Sequence, residues 1–85
     1  MRILDSQSDR LAAQVQLYLS ANEARELIAS LNKLVGDPEA IDHFHLFSED
    51  GGSELSCSIV TARKLTAGGY TTAEREAMSG WKPRA

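Results

Sequence analysis

The segment Ser20-Ala21-Asn22-Glu23 constrains this chain more than any other. A serine hydroxyl there can accept the amide proton of the residue three positions on, whose carboxylate can accept the serine amide in return. Behind it, Ala24, Leu27, Ile28, Leu31, Leu34 and Val35 recur at the three- and four-residue spacing of one helical stripe, while Arg25, Glu26, Ser30, Asn32 and Lys33 fall elsewhere. The spacing predicts a helix from Ser20 to about Val35. Gly36 offers the left-handed conformation that often closes a helix, and Pro38 bars continuation. Leu31 is expected where helix meets sheet, so Leu31→Asp should unfold the domain by burying an unpaired charge.

Alternation predicts strands around this helix. Ala13, Val15, Leu17 and Leu19 share one parity and Gln14, Gln16 and Tyr18 the other, the pattern of a half-buried strand. A second strand follows, with Phe44 and Leu46 against His43, His45 and Phe47. Glu49-Asp50-Gly51-Gly52 is tight-turn chemistry, and a third strand is predicted from Ser53 to Ala62, with Leu55, Cys57 and Ile59 against Ser56, Ser58 and Val60. These two strands should pair antiparallel. Arg2 to Asp5 either hairpins onto Leu11 to Leu19 through the polar Ser6 to Asp9 stretch or frays. Thr71 and Glu74 repeat the capping spacing, which predicts a short helix over about Thr72 to Ser79, ended by Gly80.

The expected fold class is α+β: a two-layer unit whose three- or four-stranded, mainly antiparallel sheet carries one main helix across one face, with a short C-terminal helix. Residues 1–80 are expected as a single domain and residues 81–85 as a tail. Parity places Val15, Leu17, Leu19, Phe44, Leu46, Leu55, Cys57 and Ile59 under the helix. Gln14, Gln16, Tyr18, His43, His45, Phe47, Ser56, Ser58 and Val60 fall on the opposite face.

Composition limits the function classes. The 42% hydrophobic and 25% charged residues are ordinary globular values. A domain of 85 residues buries only about 60 to 65% of its unfolded surface, which leaves little room for a deep cleft. The single cysteine, Cys57, makes no intrachain disulfide and suits a reducing compartment. The first residues lack a signal-peptide core of about 7 to 15 apolar residues, and no run reaches the roughly 18 needed to span a bilayer. The expectation is a cytoplasmic protein without a membrane partner. The net charge of -3 hides an asymmetry: residues 1–60 carry four basic and ten acidic groups, the last 25 residues five basic and two acidic. An acidic body does not suit phosphate-backbone binding, so no nucleic-acid partner is expected.

The chemistry-bearing residues are few. His43 and His45 project from one strand face and could share a metal ion, but a catalytic zinc site needs a third protein ligand. Asp42 has the other parity and Cys57 belongs to the helix-covered face, so the expectation is no metal and no cofactor, with His43 and His45 as the weak candidates. Imidazoles exchange protons near physiological pH, so an interface holding them would respond to pH. Cys57 alternates as a core position does and is expected to be an inert thiol. The serines lack a nucleophile elbow, and the glycine pairs match neither dinucleotide nor P-loop patterns. No catalytic residue emerges, and the chain is not expected to be an enzyme. Tyr18, Phe47 and Trp81 have the character of binding hot spots, unless the C-terminal helix or the Leu65 to Tyr70 loop folds back over them or a homodimer forms through that face.

The helix start Leu19-Ser20-Ala21-Asn22-Glu23-Ala24 and the strand His43-Phe44-His45-Leu46-Phe47 resemble small β-α-β-β immunity-type proteins of bacterial polymorphic toxin systems. The resemblance covers about residues 14–60. It implies a toxin-neutralising or other protein-binding role without catalysis. The acidic body fits a cationic partner, since opposite charge steers association. The expected partner-binding set is Tyr18, His43, His45, Phe47, Glu49, Asp50 and Glu54. The alternatives are a metal-binding protein or small metal-dependent enzyme centred on the histidine pair, and a homodimeric structural subunit.

Overall fold

Helix α1 spans Ala21–Gly36 and starts as its sequence requires. The Glu23 amide donates to the Ser20 hydroxyl at 3.1 Å, and the Ser20 amide donates to Glu23 Oε1 at 2.8 Å. The computed structural model describes residues 1–80, which also form β1 (Ile3–Asp5), β2 (Arg10–Ala12), β3 (Phe44–Phe47), β4 (Glu54–Cys57), α2 (Ala62–Thr66) and α3 (Thr72–Ser79). The α+β class holds. The single sheet of three or four strands is replaced by two antiparallel two-stranded sheets, β1-β2 and β3-β4. Contacts divide the described residues into two units: Tyr18–Thr61, and Met1–Leu17 with residues 62–80. Trp81 and the tail expected over residues 81–85 lie outside the described residues.

In the Tyr18–Thr61 unit, α1 packs on β3. Its buried residue is Leu34, 1% exposed, with Ala24 and Leu27 half-buried. Leu31 is 39% exposed, and Ile28 and Val35 are exposed, which corrects the placement of Leu31 at the core. An apolar stripe about 100° wide is broader than a two-stranded ribbon covers, so only its Leu27 and Leu34 edge is buried. The helix end is also corrected. Gly36 is the last helical residue, and the positive-φ glycines among the described residues are Gly51 and Gly69. Asp37 stops the helix instead: its amide donates to the Lys33 carbonyl, and its carboxylate accepts the Ala40 amide at 3.2 Å.

The β3–β4 register pairs Phe44 with Cys57, His45 with Ser56, Leu46 with Leu55, and Phe47 with Glu54. Parity along these strands is as expected: Leu46 is buried and Phe44, Leu55 and Cys57 are half-buried, while His45, Phe47, Glu54 and Ser56 are exposed. Two boundaries move. His43 lies just before β3, and β4 stops at Cys57, leaving Ile59 and Val60 half-buried but outside any strand. Gly51 takes φ 74° at the turn, where the Gly51 amide donates to the Ser48 carbonyl at 2.8 Å.

The other unit resolves the open question at the N-terminus. Arg2 to Asp5 does form a hairpin, but with Arg10–Ala12, in the register Ile3 to Ala12, Leu4 to Leu11 and Asp5 to Arg10. No strand forms over Ala13 to Leu19, and Val15, Leu17 and Leu19 are exposed there. Alternation shows which side chains could share a face but does not by itself pair a strand: β1 pairs with Arg10–Ala12, and no strand pairs with Ala13 to Leu19. α2 is a helix where the sequence suggests the end of a strand and a loop, and its Lys64 is fully buried, a rare site for lysine. α3 has the expected cap: the Glu74 amide donates to Thr71 Oγ1 and the Thr71 amide to Glu74 Oε1. Within this unit α3 packs near β1 and α2, with Ala77 buried, and the Arg2 guanidinium donates to the Gly80 carbonyl. Among the described residues, no helix is long and apolar enough to cross a membrane.

Candidate functional site

The exposed face of the β3–β4 ribbon gathers four of the seven residues expected to bind a partner. The register places His45 opposite Ser56 and Phe47 opposite Glu54, so strand pairing alone brings these side chains onto one face. His43, one residue ahead of β3, completes the group. The centre is the His45 ring. Its Nδ1 lies 2.5 Å from Glu54 Oε2 and 2.8 Å from the Ser56 hydroxyl, and its Nε2 lies 3.0 Å from His43 Nε2. The two imidazoles meet edge to face with centroids 4.7 Å apart, and the His45 ring stacks on Phe47 at 6.2 Å.

These contacts settle the protonation pattern of the neutral pair. A carboxylate only accepts, so His45 Nδ1 carries its proton towards Glu54. His45 Nε2 is then the lone-pair nitrogen, and His43 Nε2 donates to it. The same geometry leaves Ser56 unactivated. A serine–histidine–acid relay needs the hydroxyl and the acid on opposite ring nitrogens, whereas Ser56 and Glu54 both meet Nδ1. Cys57 faces the other side of the ribbon, and burial raises its pKa, which keeps the thiol protonated and weakly nucleophilic. Among the described residues, no three histidine, cysteine or acidic side chains converge as a metal-holding group.

The remaining expected residues have other placements. Tyr18 is 87% exposed but precedes α1 in irregular chain, so it is not on the sheet face that strand alternation assigned to it. Asp50 serves the turn: its Oδ1 accepts the Ser48 hydroxyl at 2.5 Å and the Gly52 amide at 2.9 Å. The Ser48 hydroxyl first, and the Gly52 amide second, hold its carboxyl below the usual range. Glu49 is exposed, and its backbone amide donates to Glu23 Oε2 at 2.8 Å. Glu23 thus caps α1 with one oxygen and anchors the β3–β4 turn with the other, and the amides of Ser20 and Glu49 lower its pKa. Sequence reasoning saw the cap but missed the second bond, which spans 26 positions and leaves no local signal. It also gave Ser56 no role, although the strand parity already placed it beside the histidines.

No protein-family model, curated protein or solved structure matches the chain.

Proposed function

We propose that this chain is a non-catalytic protein-binding module that docks a partner on the exposed face of the β3–β4 ribbon. The supporting observation is Phe47: a 58% exposed aromatic at the end of β3, stacked on His45 and paired across the ribbon with Glu54. An exposed ring bordered by fixed polar groups has the make-up of an interface anchor, with an apolar centre and a polar rim. His43, His45 and Glu54 form that rim, and Glu49 contributes as an exposed acidic residue at the turn. Asp50 shapes the β3–β4 turn, and Tyr18 contributes as a separate exposed aromatic. The ten acidic groups of residues 1–60 favour a cationic partner, and the resemblance to immunity-type proteins makes inhibition of a toxin the specific form of the reading.

A photoreactive phenylalanine analogue at position 47, with a control at exposed Glu39, tests the proposal in cells. Position 47 should crosslink to one basic protein that also binds the purified chain. Combined His43→Ala and Phe47→Ala should weaken that binding at least tenfold without altering the fold. A partner bound equally well by the double variant would sink the proposal. Crosslinking to a second copy of this chain, with a dimer in sedimentation, would replace it with the homodimeric reading.

A further inference from the structure

We propose that His43 and His45 form a two-imidazole site for a divalent transition metal, with Glu54 as the outer carboxylate that orients His45. The inference stands independently of the protein-binding proposal. Its basis is the convergence of two Nε2 atoms at 3.0 Å on an exposed strand edge. Two nitrogens about 2.0 to 2.1 Å from a shared ion lie about 2.9 Å apart at a right angle and about 3.3 Å apart at the tetrahedral angle. The observed separation therefore fits two adjacent positions of a tetragonal ion such as Cu²⁺ or Ni²⁺, and Zn²⁺ after a small opening. Imidazole suits all three ions.

Glu54 raises this arrangement above two neighbouring histidines. Metal-bound histidines almost always donate their other ring N–H to a carboxylate or carbonyl, which selects the tautomer and steadies the ring. His45 has that partner in place: Nδ1 is held by Glu54, with the Ser56 hydroxyl alongside, and the Nε2 lone pair is turned towards His43. In the metal-free pair His43 Nε2 donates to that lone pair. On binding, His43 gives up its Nε2 proton and carries one on Nδ1 instead, so the neutral pair exchanges one internal hydrogen bond for two metal bonds with no net proton change. With no third protein ligand among the described residues, the other positions belong to water or to a group supplied from outside the chain.

Titration of the untagged full-length chain with nickel, copper and zinc chlorides, followed by calorimetry and by ¹⁵N NMR of the histidine rings, tests the site. The expected result is saturable uptake of one ion per chain, with both Nε2 resonances moving, His45 Nδ1 staying protonated and His43 Nδ1 becoming protonated. His43→Gln and His45→Gln should each abolish that uptake while retaining the wild-type circular dichroism, since both side chains are exposed. Glu54→Gln should weaken it by about 10- to 100-fold. No uptake by the wild-type chain, or equal affinity in a variant lacking both histidines, overturns the site. Loss in the histidine variants with full affinity in Glu54→Gln overturns the role given to the carboxylate.

Discussion

The two hairpins of this protein are built alike and supported differently. Both are antiparallel, and each uses a residue with positive φ near its turn, Asp9 at 57° and Gly51 at 74°. β1–β2 pairs three residues a side and none of its residues is fully buried. β3–β4 pairs four, buries Leu46, lies against α1 and has its turn tied to the helix cap through Glu23. An isolated two-stranded hairpin is marginal in water, so each leans on a helix, β1 on α3 and β3 on α1, but only the second buries a strand residue and has its turn tied to a helix cap. Turn chemistry brings two strands together, and a packed face commits them to one register.

The largest expected break in that difference is Leu34→Ala. It should cost about 3 kcal/mol in denaturant unfolding, because Leu34 is the buried apolar residue of the backing helix. Leu31→Ala should cost under about 1 kcal/mol. Equal costs would mean that the helix packs through its whole stripe. At the turns, Gly51→Val should destabilise by about 1 to 2 kcal/mol, since a β-branched side chain disfavours left-handed backbone. Asp9→Gly should change stability little, because glycine relaxes that φ but adds freedom to the unfolded chain.

Ser20→Ala should cost about 1 kcal/mol, as should Thr71→Ala, because each removes the hydroxyl of a complete capping box. Hydrogen-exchange protection separates the two. Ser20→Ala should also loosen the Ser48 to Ser53 turn through Glu23, and Thr71→Ala should leave that turn unchanged.

A smaller effect is set by pH. The carboxyl pKa values of Glu23 and Asp50 are lowered in the folded state by the donors they accept. Their contributions are fully present above the ordinary carboxylate range and are lost as pH falls through the lowered folded values. Asp5 behaves likewise in the other hairpin, mainly through the Gln7 amide. Acid titration followed by NMR should show all three titrating below ordinary carboxylates, and Asp50→Asn should flatten the acid limb of stability for the second turn. The smallest effect on stability is expected from Phe47→Ser, within about 0.5 kcal/mol because the ring is exposed. A cost as large as that of Leu34→Ala would show that Phe47 is core rather than interface.

How much was legible follows the range of the signals. Ser20 and Glu23, Thr71 and Glu74, and the Asp50-Gly51 turn act over three or four positions, and each appears where its residues demand. The face holding His45, Phe47, Glu54 and Ser56 was legible too, because strand side chains alternate whatever the strand pairs with. Alternation from Ala13 to Leu19 misled, since it records which side chains could share a face and not whether another strand pairs with them. Leu31 and Leu34 are equal members of one stripe in the sequence, yet only Leu34 is buried.

By itself, then, the sequence determined the α+β class, both capped helices, the β3–β4 hairpin and the parity that gathers His45, Phe47, Glu54 and Ser56. These rest on backbone geometry and bonds between near neighbours. Tertiary structure decided that the strands form two separate ribbons, that Glu23 reaches the Glu49 amide, that Lys64 is buried, and that His43 and His45 meet nitrogen to nitrogen. Each of these depends on the chain's path or the rotamers chosen in its packing, which local spacing does not encode.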